Sequence, residues 1–211
     1  MTYIENVFVC IAAPLFITML CVGRRYHAAF ALCFAGMFVC LLSAYLNTFF
    51  TLYYQADTMN ATTQIAPVVE EIMKLLPLLF FLIVFEPELQ RFRLAALLVA
   101  ASFATFENIC YLAENGAGQI LFLLIRGFGT AMHVACGSVY AEGLRYVWHD
   151  RLLRNVCIPG LLCVSIIYHA IYNLLVSVGG SVQVIGYCIP LLTMMGGFTL
   201  YHAVRGRQRR N

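Results

Sequence analysis

The chain has 211 residues, of which 62% are hydrophobic and only 11% charged, with a net charge of +3. An ordinary soluble domain is about 25% charged, so the composition excludes a separate soluble domain and indicates a polytopic membrane protein. No stripe of Lys and Arg interleaved with aromatics lies in a soluble segment, which leaves nucleic-acid binding without support.

A membrane-spanning helix needs about 20 mostly apolar residues, and seven stretches meet that need in chain order. The first, 5–23, has no basic residue before it, unlike a cleaved signal peptide, and reads as a retained helix. Arg24-Arg25-Tyr26-His27 separates it from 28–53, and a polar segment around Asp57–Thr63 leads to 65–85. Glu86–Arg93 precedes 94–113, and Glu114–Gln119 precedes 120–144. That fifth stretch is rich in small residues (Gly127, Gly129, Ala131, Ala135, Gly137), which suits close helix packing. Arg145–Asn155 leads to 156–178, Gly179-Gly180-Ser181 to 182–203, and the tail Arg205–Asn211 is basic. The whole of 1–211 thus forms one all-α membrane bundle with the lipid bilayer as its solvent. Most of the nine cysteines fall inside apolar runs and none forms a CxxC, so they read as packing residues.

The arginines orient this bundle. Arg24, Arg25, Arg91, Arg93, Arg145, Arg151, Arg154, Arg205, Arg207, Arg209 and Arg210 all lie in alternate connections and the tail, 11 of the 13 Lys and Arg. By the positive-inside rule the N-terminus is outside, the C-terminus is cytoplasmic, and the crossings are odd in number.

Within the apolar stretches stand Glu70, Glu71, Lys74, Glu107, Arg126, His133 and His169. A charge near the bilayer centre costs about 2.5–3.5 kcal/mol on insertion scales, so such residues mark functional sites. Glu70 and Glu71 lie about 8 Å below the outer end of the third span, at about 1.5 Å per residue. Glu107, Arg126, His169 and Asn173 are also near outer ends, while His133 falls near the midplane if span five starts at 120. The pairs Glu70/Lys74, Phe103/Glu107 and His169/Asn173 are four residues apart and share helix faces. Adjacent Glu70 and Glu71 point about 100° apart, so they cannot do the same job. Glu142, at the other end of span five, is expected to have no catalytic part.

Four of these patterns occur in order, one per consecutive helix, over residues 70–173. Glu70-Glu71-Ile72-Met73-Lys74 resembles the EExxK motif of the PrsW family of intramembrane proteases. Phe103-Ala104-Thr105-Phe106-Glu107-Asn108 resembles its FxxxEN motif, His133 its histidine on the next helix, and His169-Ala170-Ile171-Tyr172-Asn173 its HxxxN motif. The related CAAX prenyl endopeptidases and Abi proteins place an arginine one residue later than Lys74 and a histidine where Glu107 stands, so the PrsW branch fits better. The resemblance implies a protease in a bacterial plasma membrane, its motif-bearing helices spanning 65–178. Its partner would be a single-pass membrane substrate, an anti-sigma factor, cut on the extracytoplasmic side.

Peptide hydrolysis needs a base for water, an acid for the leaving amine and donors for the oxyanion. Glu70 is the candidate base, with Glu71 and Glu107 in the same acidic cluster. His133 orients or protonates, by resemblance. His169 and Asn173, one turn apart, are candidate oxyanion donors. Lys74 pairs with Glu71 or Glu107, and Asn108 and Arg126 support the cluster. No cofactor is expected; zinc held by His133, His169 and a glutamate is the mechanistic rival, although no HExxH is present. A proton-coupled carrier would want polar residues through the whole membrane depth. A haem protein ligated by His133 and His169 would leave Glu70, Glu71 and Lys74 without a task.

Overall fold

The computed structural model describes residues 3–115, 126–127 and 130–208, and every regular element among them is helical. The long helices are α1 (Ile4–Cys21), α2 (His27–Tyr53), α3 (Ala66–Phe85), α4 (Leu89–Asn115), α5 (Ala131–Val147), α6 (Arg151–Val178) and α7 (Gly180–Gln208). Each coincides with one of the apolar stretches to within about five residues, except the fifth. Residues 120–125 and Gly129 of that stretch, and Arg209 and Arg210 of the tail, lie outside the described residues.

Among the described residues, five segments are long and apolar enough to cross a membrane: Ile4–Cys21, Arg24–Tyr53, Leu89–Glu114, Arg151–Val178 and Gly180–Thr199. α3 has the length, 20 residues, but carries Glu70, Glu71 and Lys74. α5 is described over only 17 residues. The structure therefore gives a multi-pass helical membrane protein with five candidate spans among the described residues.

α4 is the centre of the bundle, with α2 on one side and α5 on the other. Two glycines make this possible. A Cβ on Gly36 of α2 would lie 2.0 Å from Ser102 Oγ and 2.4 Å from the Val99 carbonyl oxygen of α4. A Cβ on Gly137 of α5 would lie 2.8 Å from Ala100 Cβ. Close backbone approach of this kind drives helix association in lipid, where apolar side chains gain nothing by leaving water. α6 packs on α5, α3 and α7, and α1, with no buried residue, lies at the periphery against α2 and α4.

The polar and apolar parts of the core are segregated. Leu75, Leu78 and Leu82 of α3, Phe92, Ala95, Ala96 and Val99 of α4, and Tyr140, Ala141 and Leu144 of α5 form one buried cluster. The polar residues lie beyond it, at the end where α3 begins and α4 and α6 finish.

The entry to α3 departs from regular α geometry. Pro67 has no N–H to offer the Thr63 carbonyl, and its ring crowds that carbonyl. The helix is widened into a π turn over Ala61–Ile65 just before it. The Ala66 N–H reaches back to the Ala61 carbonyl. In an α-helix it would have bonded Thr62, so the Thr62 carbonyl is released.

Candidate active site

Nearly all the residues singled out in the sequence meet around one cavity of about 560 Å³. Glu70, Glu107, Arg126, His133, His169 and Asn173 line it. His133 reaches it because the described α5 starts at Ala131, which puts this histidine in the first turn. The described helix thus opens at Ala131, inside the expected stretch 120–144.

The two glutamates are separated as their 100° offset requires. Glu70 faces the cavity; Glu71 is fully buried behind it. Glu71 Oε1 accepts from Lys74 Nζ at 2.5 Å and lies 2.9 Å from His169 Nδ1. Its Oε2 accepts from the Tyr140 hydroxyl at 3.1 Å. A buried carboxylate costs least when its oxygens are satisfied in this way. Glu70 is less well served. Its Oε1 accepts from Asn47 Nδ2 at 3.2 Å, while its Oε2 is buried and has no hydrogen-bond partner. That free oxygen lies 3.8 Å from His169 Nε2.

These bonds fix both imidazoles. A carboxylate only accepts, so His169 Nδ1 carries a hydrogen for Glu71, and a neutral His169 turns the lone pair of Nε2 toward Glu70. An ammonium only donates, so His133 Nδ1, 2.8 Å from Lys74 Nζ, accepts. His133 Nε2 then donates to Glu107 Oε2 across 2.8 Å. The two rings meet edge to face with centroids 5.1 Å apart. Lys74 pairs with Glu71, one of its two expected partners, and its ammonium lies 4.8 Å from the Phe103 ring centre.

The remaining predicted residues frame the cluster. Arg126 donates to Glu107 Oε1 at 3.4 Å and lies over the Tyr111 ring. Asn108 donates to Thr130 Oγ1 at 3.3 Å, joining α4 to the start of α5 without touching the acidic residues. Asn173 donates to the released Thr62 carbonyl at 2.9 Å, so the π turn is tied to α6. Glu142 is paired with Arg93 at 3.2 Å, near the other end of α5. Asn47, Tyr140 and the Thr62 carbonyl belong to the network although no sequence pattern singled them out.

Glu70, His133 and His169 offer three donor atoms within 4.8 Å of one another. In kind they match a two-histidine, one-carboxylate zinc set, and the bond from Glu71 to His169 is the backing that metal-ligating histidines have. In arrangement only two donors are available. Ligands on a tetrahedral zinc at about 2.0–2.1 Å are about 3.3 Å apart, and the free Glu70 and His169 atoms are close to that spacing. His133 has both nitrogens engaged, one of them with a lysine cation. A metal would need the His133 ring to change partners.

Searches of curated proteins and of solved structures gave no match. A family model described as PrsW family intramembrane metalloprotease matches residues 23–201, which takes in α2 to α6 and most of α7. The match spans most of the chain and every residue of the cavity cluster, and the chain belongs to this family of intramembrane proteases.

Proposed function

We propose that the protein is an intramembrane-type endopeptidase that hydrolyses a membrane-anchored protein on the extracytoplasmic side, using water activated by Glu70. The observation that carries this reading is the free Oε2 of Glu70 facing His169 Nε2 across 3.8 Å on a cavity wall. A gap of that length is too wide for a direct hydrogen bond and suits two groups that share a water.

Glu70 takes a proton from this water as it attacks the scissile carbonyl carbon, and returns the proton to the leaving amine. His169, held by Glu71, accepts the water's other hydrogen at Nε2 and aims its lone pair. This differs from the oxyanion-donor role expected for His169, since Nδ1 carries its hydrogen. Asn173 keeps the donor role: its amide has two hydrogens, one of which goes to Thr62, and it lines the cavity. Arg126, whose Nε has no partner among the described residues, is a second donor on the same wall. Lys74 and Tyr140 hold Glu71, and Glu107 holds His133.

A metal-activated water is the second reading, favoured by the proximity of Glu70, His133 and His169. Zinc held there would supply an acidified water and polarise the scissile carbonyl.

The seven-crossing arrangement, with the N-terminus outside, is supported by the arginines in alternate connections. It puts the end of the bundle bearing Glu70, Glu107 and His169 on the outer face. The substrate is then a single-pass protein cut outside the cytoplasm of a bacterial cell, and an anti-sigma factor fits the family resemblance. Co-expression with epitope-tagged single-pass anti-sigma factors tests this by blot: the wild type should shorten one of them, and Glu70→Gln should leave it intact. Equal shortening by both would overturn the proposal.

A further inference from the structure

We infer that Asn47, on α2 and outside the motif-bearing helices, is a positioning residue that selects which oxygen of Glu70 reacts. The inference rests on the reading of Glu70 as the base.

The last torsion of a glutamate is broad and nearly two-fold, so nothing in the side chain distinguishes its two oxygens. Packing or hydrogen bonding must do so. Asn47 Nδ2 lies 3.2 Å from Glu70 Oε1. The donors next to Glu70 are engaged with other groups: Lys74 with Glu71 and His133, and Tyr140 with Glu71. Among the described residues, Glu70 receives its one side-chain hydrogen bond from Asn47. With Oε1 held, Oε2 is left without a partner and turned to His169 Nε2.

The location of Asn47 suits this task. α2 packs against both α3 and α4, and Asn47 lines the same cavity as Glu70. Its own Oδ1 is buried without a hydrogen-bond partner. A buried amide oxygen left unpaired is costly, and Asn is a poor helix former in an apolar span. Both costs are explained if the amide hydrogens are needed at Glu70. A misplacement of about 1 Å in a reacting group can cost about 10²-fold in rate, so this single bond is enough to matter.

The test uses full-length protein in liposomes with a single-pass reporter bearing an epitope tag on its outer juxtamembrane segment. Asn47→Leu removes the amide at nearly the same volume, and Asn47→Ala removes it with no new polar group. Both are expected to lower kcat by about 10- to 100-fold, with KM within about twofold and an unchanged melting temperature. Adding Asn47→Leu to Glu70→Gln should cause no further loss, because Asn47 acts through Glu70. If Asn47→Leu does not accumulate in the membrane, Asn47→Ala decides. Wild-type rates for Asn47→Ala alongside an inactive Glu70→Gln would overturn this inference alone. A raised KM with unchanged kcat would make Asn47 a substrate contact and also overturn it. A fully active Glu70→Gln would remove the proposed base, and this inference with it.

Discussion

His169 Nδ1 and Glu71 Oε1 lie 2.9 Å apart, and this one bond decides what each residue can do. It commits Glu71 to a supporting part and leaves His169 Nε2 as a lone pair facing Glu70. Glu70→Gln should therefore abolish cleavage while the protein still inserts, a loss of about 10²–10⁴ in rate for a general base. Glu71→Gln and His169→Ala should also be inactive, through loss of the water's orientation. Glu142→Gln, paired with Arg93 away from the cavity, should cleave like wild type. Blots of a cleavable reporter give the answer; an inactive Glu142→Gln beside an active Glu70→Gln would relocate the site.

Tyr140 gives a graded version of the same test. Tyr140→Phe deletes one hydrogen bond to a buried carboxylate and little volume. Such bonds contribute about 1.5–3 kcal/mol, so a lower melting temperature and a partial loss of cleavage are expected. Full wild-type stability would mean that the phenol does not support Glu71.

The metal question is settled by elemental analysis. With His133 bound to Lys74 and Glu107, purified protein is expected to hold well under one zinc per chain, and chelators should leave cleavage intact. About one zinc per chain, lost together with activity, would establish the metal-activated reading.

Orientation can be read with reporter fusions. Fusions after Arg93, Arg154 and Arg210 should report cytoplasm, and fusions near Asp57 and Gly116 should report the outside. A cytoplasmic signal at Gly116 would remove the seven-crossing arrangement.

Packing makes its own prediction. Gly36→Val forces a Cβ against the α4 backbone, where overpacking costs about 1–3 kcal/mol or more. Gly160→Ala in α6 meets nothing within 4 Å and should gain about 0.8–1.0 kcal/mol from helix propensity. A thermal-shift assay in detergent that found the two variants equally stable would argue against the tight α2–α4 contact.

Much of this site was legible in the sequence because membrane burial makes each charge conspicuous. Glu70, Glu71, Lys74 and Glu107 stand out against apolar neighbours, and four-residue spacing places His169 and Asn173 on one face. Helices α2 and α3 begin within one residue of the apolar stretches that predicted them. The start of α5 was not legible, because apolar length carries no signal for where a helix starts: the described helix opens at Ala131, inside the stretch 120–144. Asn47 and Tyr140 were invisible for a different reason. Each acts on a residue distant in the chain, 23 and 69 positions away, and Asn or Tyr in an apolar run has no periodicity of its own. The split between the glutamates was foreseeable from their 100° offset, but which one faced the cavity depended on where α6 packed.

The bond between Lys74 and Glu71 has a further consequence for biogenesis. Both residues belong to one helix, three positions apart, so their pairing needs no other part of the bundle. His133, Tyr140 and His169 are translated 59 or more residues after Lys74. In the proposed seven-crossing arrangement α3 leaves the translocon before they emerge, with each unpaired charge costing about 2.5–3.5 kcal/mol. An ion pair inside the helix is available from the moment the turn forms. Glu70 has its partner Asn47 on the preceding long helix, α2, so that bond forms once α2 and α3 pack. The nascent segment of the proposed arrangement can thus enter lipid with Lys74 and Glu71 already paired, and the histidines join a pair that is in place before them.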